Sequence, residues 1–102
     1  MKNFTSITFP KPDEMILELM YSREIFARKE PNLVPIDTLS HMLYGPYREQ
    51  HDIYSNVSIY DYIDASLVRL QSRGYIRYSE EVGYYEIYLT PAGRALIKEE
   101  MS

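Results

Sequence analysis

The chain has 102 residues, 45% of them hydrophobic and 25% charged, which fits one folded domain (1–102) with a modest core and excludes a disordered segment. A formal net charge of -4 excludes a generic nucleic-acid coat protein, whose long-range field would be positive. The absence of cysteine excludes disulfides, thiolate metal sites and a cysteine nucleophile. No apolar run reaches membrane-spanning length and the N-terminus lacks a signal peptide's apolar stretch, so a cytoplasmic protein is expected.

Residues 1–11 read as an N-terminal arm in which Thr5, Ile7 and Phe9 alternate as in a short strand. Pro10 and Pro12 bracket a helix start, and Asp13 and Glu14 suit the positive end of that helix. The spacing predicts a helix to about Lys29, with Ile16, Leu19, Met20 and Phe26 on its apolar face, Arg28 and Lys29 in the last turn and Pro31 beyond it. Asn32 to Pro35 form a short extended link. Ile36, Leu39 and Leu43 mark one face of a second, shorter helix that Gly45-Pro46 stops. Residues 45–57 are then a long loop between the second and third helices, holding Tyr47, Arg48, Glu49, His51, Asp52 and Tyr54.

Ser58 opens the third helix, where its hydroxyl can accept from the amide of Asp61. Ile59, Ile63, Leu67 and Leu70 share one face, and Gly74 supplies the left-handed residue that ends the helix. Tyr75 to Ser79 and Tyr84 to Leu89 are strand-rich and joined by Glu80-Glu81-Val82-Gly83, a hairpin with a longer turn. Ile76, Tyr78, Tyr85, Ile87 and Leu89 are expected to face the body, and Arg77, Tyr84, Glu86 and Tyr88 to face out. Thr90 caps a last helix begun by Pro91, with Ala92, Ala95 and Leu96 as its packing face.

"Leu-Gln-Ser-Arg-Gly-Tyr-Ile" before the hairpin and "Leu89-Thr90-Pro91-Ala92-Gly93-Arg94-Ala95-Leu96" after it resemble the winged-helix (winged helix-turn-helix) domains of small transcription regulators similar to the MarR and PadR families. The resemblance covers roughly residues 12 to 101. It implies an α+β fold with a three-helix core, a two-stranded C-terminal wing and a short final helix. It also implies a DNA-binding regulator that places its third helix in the major groove and its wing on the backbone, acting as a homodimer on double-stranded DNA. Carried onto this chain, the DNA-binding candidates are Ser58, Tyr60, Ser66, Arg69, Arg73, Arg77 and Arg48. Arg69 and Arg73, four residues apart, suit a phosphate clamp, or surface ion pairs with Asp64 or the Glu80-Glu81 turn.

The charge points elsewhere. Residues 58–87 carry five acids (Asp61, Asp64, Glu80, Glu81, Glu86) against three arginines (Arg69, Arg73, Arg77), a net of -2 where a DNA reader needs an excess of base. The alternative is a protein-interaction module in which Asp61, Asp64, Tyr60, Glu80, Glu81, Tyr84 and Tyr88 meet a basic partner, as small phage or mobile-element proteins do to nucleic-acid-binding proteins. Eleven tyrosines suit such a face, or extend a thin core. An enzyme is not expected. His41 and His51 stand without ligand spacing, there is no phosphate-binding glycine loop, and the four glycines serve helix ends and a turn, so no metal and no cofactor is predicted.

Overall fold

The computed structural model describes residues 9–27, 29–51 and 56–101. Among them the chain is an α+β fold of four helices and a three-stranded antiparallel sheet, in the order α1 (Lys11–Phe26), β1 (Leu33–Pro35), α2 (Ile36–Gln50), α3 (Ile59–Ser72), β2 (Ile76–Glu81), β3 (Tyr84–Leu89) and α4 (Pro91–Met101). No described helix is long and apolar enough to cross a membrane. Residues 1–8 of the expected N-terminal arm lie outside the described residues. Phe9, at its end, packs its ring 5.6 Å from that of Tyr75.

α1 starts where Pro12 sits in the first turn and its missing N–H costs nothing. It ends at Phe26, earlier than expected, and Phe26 is 78% exposed instead of buried. The buried stripe is Asp13, Ile16, Leu17 and Met20, and six further residues at 100° each carry Phe26 to the opposite side. Beyond the helix, Glu30 holds a left-handed φ of 45°, and the Arg23 guanidinium donates to the carbonyls of Pro31 (2.7 Å) and Leu33 (2.8 Å).

The expected extended link is a true strand. β1 pairs with β3, Val34 opposite Tyr85, so the sheet order is β1-β3-β2 and β2 is an edge. Contrary to expectation, α2 runs through Gly45 and Pro46 to Gln50. Proline removes one backbone bond, but the turn after it is held by tertiary contacts. The Tyr47 ring lies 5.4 Å from that of Tyr62 and its hydroxyl donates to the Val57 carbonyl at 2.6 Å. Packing overrides the local breaker. The connection between α2 and α3 therefore begins at His51, and its residues 52–55 lie outside the described residues.

α3 forms as its sequence dictates. The amide of Asp61 donates to Ser58 Oγ at 3.0 Å, and Ile63, Leu67 and Leu70 are fully buried. Gly74, at φ 83°, closes the helix: its amide donates to the Gln71 carbonyl and that of Tyr75 to Leu70, the paired bonds of a Schellman end. The hairpin alternates as expected, with Ile76, Tyr85, Ile87 and Leu89 buried and Arg77 and Tyr88 exposed. Its turn is shorter than expected. Glu80 and Glu81 are strand residues opposite Tyr85 and Tyr84, leaving only Val82-Gly83, with Gly83 at φ 83°.

The start of α4 is a weld between three elements. Thr90 Oγ1 accepts from the amide of Gly93 (3.0 Å) and donates to the Gly74 carbonyl (2.6 Å), while its own amide donates to the Tyr75 carbonyl (3.1 Å). Gly93 lies so close to Tyr75 that a Cβ would stand 2.0 Å from its carbonyl oxygen. Arg94 makes a two-bond pair with Glu24 of α1 at 2.9 and 2.7 Å. This seating turns Gly93 and Ile97 inward and keeps Leu96 packed against the core as expected, but leaves Ala92 and Ala95 exposed, correcting that part of the expected face. Gly93→Ala is therefore expected to cost about 2 kcal/mol or more, the upper range for overpacking, because the obstacle is backbone. Urea unfolding that leaves the midpoint unchanged would show that the α3 end and α4 are not in this contact.

Candidate macromolecular interface on α3 and the hairpin

The proposed contact residues separate into two sets once α3 is docked. Its inner face carries Tyr62, Ile63, Ser66, Leu67 and Leu70, all buried. Its outer stripe is Asp61, Asp64, Ala65, Val68 and Ser72, all exposed, with Tyr60 beside it at 58% exposure. Ser58 is exposed but its hydroxyl is engaged as the helix cap.

Ser66 does not face outward as expected. It is fully buried, and its hydroxyl donates to Oδ1 of Asp13, itself fully buried in the first turn of α1. Arg69 follows it inward. Its Nε donates to Asp13 Oδ2 at 3.0 Å and its Nη2 to Oδ1 at 2.7 Å, a fork-on-carboxylate pair. Its partner is thus neither Asp64 nor the Glu80-Glu81 turn. The side-chain hydrogen bonds to Asp13 raise the Arg69 pKa further, against the lowering by burial. Asp13 read in the sequence as a helix-start residue only; no local pattern tells a carboxylate that caps a dipole from one that anchors another helix.

The remaining arginines do not share one free face with Arg69. Arg73 caps the end of α3, exposed, with its guanidinium 5.5 Å from the centre of the Phe9 ring. Arg77 is exposed on the outer sheet face, opposite Tyr88. Arg48 lies on α2, donating to the Tyr44 hydroxyl at 2.9 Å. On the hairpin, Glu80, Glu81 and Tyr88 are exposed, Tyr84 is half-buried, and the Tyr88 hydroxyl donates to Glu86 at 2.8 Å. Two apolar residues that the sequence reading passed over join them: Val68 at 45% exposure on α3, and Val82 at 98% at the hairpin tip. Both could be found by phase: Val68 sits opposite the Ile63–Leu67 stripe, and Val82 occupies a turn position that polar residues usually hold.

Where α3 meets the hairpin, the electrostatics are negative. The edge amide of Tyr78 donates to Gln71 Oε1 of α3 at 3.0 Å, which fixes that helix face over β2. Tyr78 and Tyr85 stack tilted at 6.2 Å on the side of the sheet facing α3. Burial, reinforced by the charges of Asp64 and Glu80, raises the pKa of Tyr78. Burial, then Glu80 and Asp64, pushes Tyr85 up to about 12. At the other end of α3, the buried Tyr62 hydroxyl makes no hydrogen bond to any described residue, and its ring meets those of Tyr47 and His51. His41 is exposed, and no group of three His, Asp or Glu among the described residues is disposed to hold a metal ion.

Comparison with family models, with curated proteins and with solved structures returned no match for this chain.

Two outcomes follow for the buried groups. Arg69→Ala strands the Asp13 carboxylate and is expected to cost about 2–3 kcal/mol, below the about 3–5 of a fully buried pair because the guanidinium is 36% exposed. Replacing both partners by apolar residues (Asp13→Leu with Arg69→Met) is expected to recover most of that loss in thermal unfolding; if it does not, the pair is more than a matched set of charges. Tyr85 is expected to ionise well above the range of a free tyrosine. Its folded pKa of about 12 exceeds the 10.0 of a free tyrosine, so its contribution to stability is intact below pH 10 and lost as pH rises through about 12. An ultraviolet alkaline titration in which Tyr85→Phe leaves the step at about pH 12 unchanged would contradict this.

Proposed function

We propose that this chain is a winged-helix module that binds a basic protein partner through α3 and the hairpin instead of reading DNA. The observation that carries the reading is the engagement of Arg69 by the buried Asp13, with Ser66 beneath it. With that arginine neutralised, the outward stripe of α3 offers Asp61 and Asp64 around Val68, and the hairpin tip offers Glu80 and Glu81 around Val82. Carboxylates of this kind steer a cationic partner and repel phosphates, while the exposed apolar side chains and Tyr60 supply contact area that is removed from water on binding.

A second reading, a DNA-binding transcription regulator, draws on the order of elements, α2 then α3 then hairpin, and on the exposed Arg48, Arg73 and Arg77. Its test cannot use Arg69→Ala, because that change removes a core ion pair.

Fluorescence anisotropy at low salt separates the two. The intact chain is expected to bind a labelled lysine-rich polypeptide, with affinity that falls on adding salt and on changing Asp61→Asn together with Asp64→Asn, and to leave a random DNA duplex unbound. Duplex binding that weakens with salt and with Arg73→Ala or Arg77→Ala would reverse the assignment.

A further inference from the structure

The last turn of α2 runs against its own sequence. Pro46 has no N–H to give to the carbonyl of Met42, and Gly45 before it is a poor helix former. Leu43 is the last buried residue of α2, and Arg48, Glu49 and Gln50 are exposed. Residues 47–50 are held helical by side chains that reach α3 and its approach. The Tyr47 ring meets that of Tyr62 edge-on at 5.4 Å, and the His51 ring meets it edge-on at 5.7 Å. The Tyr47 hydroxyl donates to the Val57 carbonyl at 2.6 Å, and the His51 amide donates to the Tyr47 carbonyl at 2.9 Å.

The closed turn carries a defect. Tyr62 is 6% exposed, and its hydroxyl is buried without a hydrogen bond to any described residue. Such a hydroxyl has given up water and gained no partner, so it favours any state that lets water return. Tyr62 also belongs to the first turn of α3: its amide donates to the Ser58 carbonyl at 3.0 Å, and Val57 immediately precedes the Ser58 cap. The residues that receive the end of α2 are thus those that begin α3.

We infer that residues 47–51 form a latch that opens locally, without unfolding of the core, and that holds the first turn of α3 in shape when shut. Opening hydrates the Tyr62 hydroxyl and releases Val57, so the turn bearing Tyr60 and Asp61 frays with it. A partner that needs this turn formed binds the shut state and closes the latch in return. The latch acts on the turn whatever that partner is, so it stands apart from the basic-partner reading.

Amide hydrogen exchange of the full chain, followed by NMR as protection factors, tests this with two variants that each lose one hydroxyl and have opposite expected signs. In the unaltered chain, the amides of Gln50 and His51 are expected to be at least about a hundredfold less protected than those of Leu67 and Leu70, with little response to urea below the unfolding transition. Tyr47→Phe removes the bond to Val57 and is expected to lower protection of the His51 and Tyr62 amides together, by about three- to tenfold. Tyr62→Phe removes the dry hydroxyl and is expected to raise protection of the amides of residues 51 and 62 by about fivefold or more. Pro46→Ala restores the backbone donor and is expected to raise protection as well. Gln50 and His51 amides as protected as those of Leu67 and Leu70 overturn the latch. Tyr62→Phe that lowers protection or leaves it unchanged overturns the part given to the hydroxyl. Protection at residue 62 that stays fixed while that of His51 moves in every variant overturns the hold on α3.

Discussion

The carboxylate of Asp13 organises this molecule. It is fully buried, and a charge in that position is tolerated only if its acceptors are filled. Ser66 and Arg69 fill them, both from α3 and from positions three residues apart, so they lie on one side of the helix. The interaction does not have to add net stability to matter, since apolar residues of similar volume often do as well. What it does is fix the rotation of α3 against α1. The inner face of α3 is settled by that bond together with Ile63, Leu67 and Leu70, and the outer face is whatever remains.

What remains is acidic. Rotating Arg69 and Ser66 inward removes a cation and a hydroxyl from the solvent side and leaves Asp61, Asp64, Ala65, Val68 and Ser72. The same residue that holds the fold together thereby leaves the outward side of the helix more acidic. This is a long-range consequence of one buried group, and it is invisible in a charge count, where Arg69 and Asp61 weigh the same.

A second constraint ties the hairpin to that helix. Thr90 bridges Gly74 and Gly93, the Gly93 backbone packs directly on Tyr75, and Gln71 holds the free edge of β2. The edge amide of Tyr78 is thus occupied by a side chain, which leaves it less open to pairing with a foreign strand. The Glu24–Arg94 pair fastens the outside of the same corner to α1, but at 44% exposure for Arg94 it is a surface pair and weaker than the Asp13 anchor. α3 and the hairpin therefore meet as one surface.

Local chemistry determined much of this protein before any tertiary contact. The Ser58 cap, the Gly74 stop, the Thr90-Pro91 start and the period-two alternation of Tyr84 to Leu89 each depend on neighbours within a few residues, and each appears where the sequence places it. The elements that only the tertiary structure decided are those where a distant partner outweighs a local preference. α2 passes through Gly45-Pro46 because Tyr47 has Tyr62 and Val57 to hold it. Phe26 is exposed because the buried stripe of α1 is centred on Asp13, Leu17 and Met20. Arg69 points inward because a carboxylate fifty-six residues earlier must be neutralised, and no window along the chain contains both. Residue identity sets which groups must find partners, whereas packing chooses the partner, and with it the face this chain turns outward.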